Sequence, residues 1–168
     1  MDSLLDQLES GLHHVILQKK IRITRTRNAD GSPVVFVDSE KILRVFYNVA
    51  VNAIDSMEER GTLSISTAAG IGGVTVRFKD TGIGMSRDLL ERIFEPFVTS
   101  EKPHGTGLGM TISRRLVEAQ GGSISAQSAP GLEQQSLSAS QLHRHSQKTH
   151  RTNILNNMPA NPASTNIL

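Results

Sequence analysis

Two asparagines four residues apart, Asn48 and Asn52 in "FYNVAVNAID", share one face of any helix that holds them. Asn is a poor helix former, so a pair among core-type residues needs a reason. One is a hydrogen-bond network inside the fold; the other is an Asn52 amide oxygen offered to Mg2+, which takes hard oxygen ligands. Further along, "KDTGIGM" sets Asp80 before Gly82 and Gly84. This is either a tight turn or a carboxylate held to accept a hydrogen bond from an exocyclic amine, an interaction worth about 1.5–3 kcal/mol. In "RIFEPFVTS", Phe94 and Phe97 bracket Pro96, as core plugs beneath a loop or as anchors of a flap over a ligand. In "EKPHGTGLGM", Gly105, Gly107 and Gly109 alternate with single residues. Alone they describe a mobile loop; at a helix start they would also bring backbone N–H groups close to an anion.

Those clusters need elements to position them. Leu4, Leu5, Leu8, Leu12, Val15 and Ile16 have helical spacing. "IRITRT" alternates as a half-buried strand does, and "VVFVD" reads as a second strand. Ser39 then opens a long amphipathic helix that carries both asparagines and stops by Gly61. "TLSIST" and "VTVRFKD" form a strand pair, with Asp80 at its end. A short helix over about 87–93, an irregular segment over 95–107, a helix over about 108–120 and the strand "SISAQS" complete the order. The pattern predicts a two-layer α/β sandwich, a mixed sheet covered on one face by helices.

Composition narrows the class. The 168 residues suit one domain, and with 37% apolar and 4% aromatic residues its core must be aliphatic. The absence of Cys excludes a disulfide scaffold or thiolate metal site and fits a reducing compartment. The start "MDSLLDQLES" lacks a basic signal-peptide head, and no apolar run is long enough to span a bilayer. The expectation is a cytoplasmic protein without membrane contact. Residues 1–131 balance acid and base, whereas 132–168 carry Arg144, Lys148 and Arg151 against Glu133. So thin a basic tail implies no nucleic-acid partner, and the domain is expected over 1–131 with a polar, disordered tail over 132–168.

The order of the four clusters resembles the ATP-binding domain of two-component sensor histidine kinases, in the GHKL superfamily of gyrase, the ninety-kilodalton heat-shock chaperone and the mismatch-repair ATPase. "NVAVNAIDSM", "DTGIGM" and "IFEPFVTSEKPHGTGLGMTISRRLVEAQGGSI" look most like the nitrogen-regulation type, and the likeness covers about residues 3–131. The resemblance implies ATP and Mg2+ as cofactors. Asn52 would bind the metal and Asn48 would line the same phosphate side. Asp80 would read the adenine amino group in a pocket shaped by Gly82 and Gly84. Gly105, Thr106, Gly107, Leu108 and Gly109 would hold the phosphates under a lid, with Lys102 a candidate contact for the γ-phosphate.

In the hydrolysing relatives the position of Asn48 carries a water-activating Glu. An amide cannot take up that proton, so the resemblance implies phosphoryl delivery to a histidine outside this chain and slow ATP hydrolysis. The implied partners are a histidine-bearing dimerisation domain and a downstream response regulator. His13 and His14 in "LHHVIL" lack the acid expected after an acceptor histidine. A non-catalytic nucleotide-binding module and a serine kinase of the anti-sigma-factor type are the alternatives; the longer F-E-P-F lid favours the histidine kinase. The likeness ends after "SAPG", where no apolar strand is expected and the last strand of the fold would be missing.

Overall fold

Leu5, Leu8 and Leu12 recur at helical spacing and are buried, so one stripe of the first helix, α1 (Asp2–Lys19), faces the core. The structure, a computed structural model, describes residues 1–28, 35–70, 73–99, 106–128 and 135–142. After α1 the chain reverses through Lys20, whose φ of 54° is left-handed, into strand β1 (Arg22–Asn28). Arg25 and Arg27 on β1 fasten the strand to α1 through Asp6, Glu9 and Asp2.

The expected strand "VVFVD" does not form: residues 35–38 carry no strand. The Asp38 carboxylate instead accepts from Lys41 N at 3.2 Å, and Asp38 N–H donates to Gln120 Oε1 at 2.9 Å. A residue committed to capping a helix cannot also pair in a ladder. The helix it opens, α2 (Ser39–Ser56), buries Ile42, Val45, Phe46, Val49, Ala50, Ala53 and Ile54 along one side. At its other end Lys19 Nζ donates to Ile54 O at 3.0 Å and Met57 O at 3.4 Å, placing a cation on the last carbonyls.

Helix α2 is the crossover that lets β2 (Thr62–Gly70) lie parallel to β1. Strand β3 (Gly73–Asp80) returns antiparallel to β2. Leu63, Ile65 and Thr67 of β2 alternate inward with Val74, Val76, Phe78 and Asp80 of β3, and the Phe46 and Phe78 rings meet at 5.4 Å. Then come α3 (Arg87–Arg92), α4 (Gly109–Ala119) and β4 (Ser123–Ser128). Helices α1, α2 and α4 share one buried cluster with β2 and β3, while Arg77 and Lys79 on the opposite sheet face are exposed. The two-layer sandwich expected from the periodicities is what forms.

One expectation is overturned. A fifth strand, β5 (Gln135–Leu142), follows Gly131 and lies between β3 and β4, giving the order β1-β2-β3-β5-β4. Among the described residues the sheet therefore extends past residue 131. "QSLSASQL" alternates serine with Leu137 and Ala139, a period of two written in residues of low strand propensity. In register, Leu137 falls opposite Phe78 and Ala126, in the middle of the sheet.

Candidate functional site

The site is built along one face of α2. Asn48, Asn52 and Ser56 are successive i, i+4 positions, spanning about 12 Å of helix at 1.5 Å per residue. At the Asn48 end, its Nδ2 donates to Gly109 O and to Ser113 Oγ, both at 3.2 Å, and Ser113 Oγ donates to Gly109 O at 2.8 Å. Asn48 therefore holds the start of α4 against α2. A Cβ on Gly109 would come within 3.8 Å of Asn48 Cγ. At the Ser56 end, Ser56 Oγ lies 3.2 Å from Asp80 Oδ1, which also accepts Gly82 N–H at 2.9 Å. Asn52, between the two attachments, is exposed.

Each attachment is closely fitted. Asp80 is only 2% exposed, so its carboxylate needs the donors it finds. Position 82 must be glycine: a Cβ there would sit 2.0 Å from Ser56 Oγ and 2.8 Å from Asp80 Oδ1. Ile83 N–H donates to Ser56 O at 3.1 Å, so the turn is tied to α2 by main chain as well. Gly84 takes a left-handed φ of 77°, and Met85 N–H then reaches Ser128 Oγ at 2.8 Å.

The glycine motif meets the phenylalanine motif. Gly107 has a φ of 65°, and a Cβ on it would lie 2.6 Å from the carbonyl carbon of Phe97. Phe97, also left-handed at 64°, donates its N–H to Gly107 O at 3.0 Å. This pairing closes the base of the segment between them. The two phenylalanines differ in placement. Phe94 packs against the core beneath the Arg114 guanidinium, 5.7 Å from the ring centre, whereas Phe97 is 75% exposed. A cavity of about 520 Å3 bordered by Asp88, Arg92, Phe97 and Thr99 lies outside this face of α2 and contains none of the expected binding residues.

Helix α4 starts at Gly109 with Leu108 before it, which supplies no side-chain cap. Its first N–H groups have no intrahelical acceptor, and their partial positive charge suits an anion. Thr106 is exposed beside them, and Thr111 Oγ1, in the first turn, is buried without a partner among the described residues. The structure thus brings Asn48, Asn52, Asp80, Gly82, Gly84, Gly107, Leu108 and Gly109 to elements fastened along one helix face. Lys102 and Gly105 lie outside the described residues. Sequence reasoning missed Ser56 and Ser113. The signal for Ser56 was its place one turn beyond Asn52, a hydroxyl among core residues.

Comparison with known proteins identifies the family. The family described as histidine kinase-, DNA gyrase B-, and HSP90-like ATPase matches residues 37–143. The sensor histidine kinase ZraS of Escherichia coli O157:H7 is 34% identical over 113 residues, covering 67% of this chain and 24% of that protein. Sporulation kinase D of Bacillus subtilis (strain 168) is 44% identical over 89 residues, covering 53% of this chain and 17% of that protein. The chain thus spans a quarter or less of the length of these relatives. Among solved structures, the nucleotide-free catalytic domain of histidine kinase ThkA superposes with a TM-score of 0.72 at 25% identity, covering 82% of this chain and 90% of that one. With the family matched across α2, the Asp80 turn and the α4 glycines, the chain belongs to the histidine kinase-, DNA gyrase B- and HSP90-like ATPases.

Proposed function

We propose that the chain is the ATP-binding catalytic module of a sensor histidine kinase, which passes the γ-phosphoryl group of Mg-ATP to a histidine on a partner domain or protein. The observation that carries this is the face of α2. It joins a buried carboxylate at one end to an uncapped helix start at the other, with an exposed amide between. A nucleoside triphosphate lying along that face would set its base against Asp80, Gly82 and Gly84. Its phosphates would meet Gly105, Thr106, Gly107, Leu108 and Gly109, with Lys102 proposed to contact the γ-phosphate.

Asn52 offers an amide oxygen of the hard type that Mg2+ accepts. Among the described residues no three His, Asp or Glu side chains group as a protein-only metal site, so such an ion would take its other ligands from phosphate and water. Bound there, Mg2+ would neutralise charge on the phosphates during transfer. The protein's own share is positioning. Asn48 holds the α4 start in place through Gly109 and Ser113, and as an amide it cannot take a proton from water. An imidazole nitrogen of the partner attacks the γ-phosphorus, forming the N–P bond as the bond to ADP breaks. A response regulator is the proposed downstream acceptor. Among the described residues no helix is long and apolar enough to cross a membrane, and we place the module in the cytoplasm.

The test is incubation with γ-labelled ATP and a histidine-bearing dimerisation domain. The expected result is acid-labile label on that domain, with slow ATP hydrolysis in its absence. Nucleotide binding without transfer to any such domain would make this a non-catalytic binding module.

A further inference from the structure

The motifs that drew attention to the site gave Ser56 no role, yet it touches residues of two of them. Its side chain is buried at 8% exposure and its Oγ lies 2.7 Å from Ala53 O and 3.2 Å from Asp80 Oδ1. Its one proton is shared between these two acceptors, the main-chain carbonyl and the carboxylate oxygen. The same Oγ fills the space that Gly82 leaves by having no Cβ, and Ser56 O accepts Ile83 N–H. Helix, carboxylate and glycine turn therefore interlock at this one residue.

An aspartate carboxylate turns broadly about its last torsion. Gly82 N–H holds Asp80 Oδ1 from its own loop. A second donor from α2 restrains it from another element. We propose that Ser56 is a positioning residue for base recognition: by fixing Asp80 Oδ1 between helix and turn, its hydroxyl sets the carboxylate's orientation toward the amino group of an adenine. The inference rests on the adenine-reading role given to Asp80 above. A serine that merely packed would affect every nucleotide alike. A serine that orients the carboxylate affects only bases that carry the amino group.

The test compares ATP with purine riboside triphosphate, which lacks the 6-amino group, by calorimetric titration of the full chain with Mg2+. The wild type is expected to prefer ATP by about tenfold, the size of one charge-assisted hydrogen bond. In Ser56→Ala the preference falls to about two- or threefold because ATP alone weakens. Ser56→Cys, which keeps the volume with a poorer donor, lies between, and carries the test if the alanine variant fails to fold. Equal weakening of both ligands, or an unchanged preference, overturns the role of Ser56. A wild type that binds both ligands equally overturns the adenine reading of Asp80 itself, a distinct result.

Discussion

Asp80 lies in a nearly dry setting, and the donors around it satisfy its carboxylate. Asp80→Asn keeps the shape but removes the charge and substitutes a donor group at one position. ATP affinity is expected to fall about tenfold or more, measured by calorimetry, with the fold intact by circular dichroism. Gly107 is a second position at which a small change is costly. Alanine there must hold a left-handed φ of 65° with its Cβ against the Phe97 backbone, and backbone cannot swing aside as a side chain can. The expected effect of Gly107→Ala is selective: the gain in affinity from AMP to ATP shrinks, because the proposed function sets the motif against the phosphates. An unchanged ratio of the two affinities would remove Gly107 from that role.

At the scale of elements, α2 is secured at both ends, and one end responds to acid. Lys41 bonds the Asp38 carboxylate with its ammonium and its backbone N–H, holding the group below its ordinary value of 3.8. A carboxylate lowered in the folded state contributes stability that is fully present above 3.8. That contribution is lost as pH falls through the lower folded value. Asp38→Asn retains a capping oxygen without the charge. The thermal midpoint of wild type should therefore exceed that of Asp38→Asn at neutral pH, and the gap should close in acid below 3.8. The same residue shows why some elements were hidden. "VVFVD" has strand composition, but Asp38 is spent on the helix that follows and on Gln120, a partner remote in sequence. The long helix, the strand pair and the glycine turns were legible because their signals are local. Ser56 was not, because its meaning depends on β3 bringing Asp80 back to α2.

For the molecule as a whole, the last strand decides whether the sheet is continuous. β5 is inserted between β3 and β4, so a chain cut after Gly131 would separate them and leave β4 without a neighbour. Such a chain is expected to lose cooperative thermal unfolding, whereas one ending at residue 143 keeps it. Retained cooperativity in the shorter chain would show that β5 is dispensable. Serine-rich composition masked this strand: its alternation is present, but its backbone pairing with β3 and β4, remote in sequence from it or written in equally polar residues, is not a local signal. The Phe97–Gly107 pairing works at this scale too, since Phe97 N–H on Gly107 O ties the stretch after α3 to the start of α4. The joint is made by main-chain atoms alone, with both residues left-handed. It therefore acts as a clasp: substitutions that spare the backbone at these two positions leave it fastened, whereas any Cβ at position 107 pries it open.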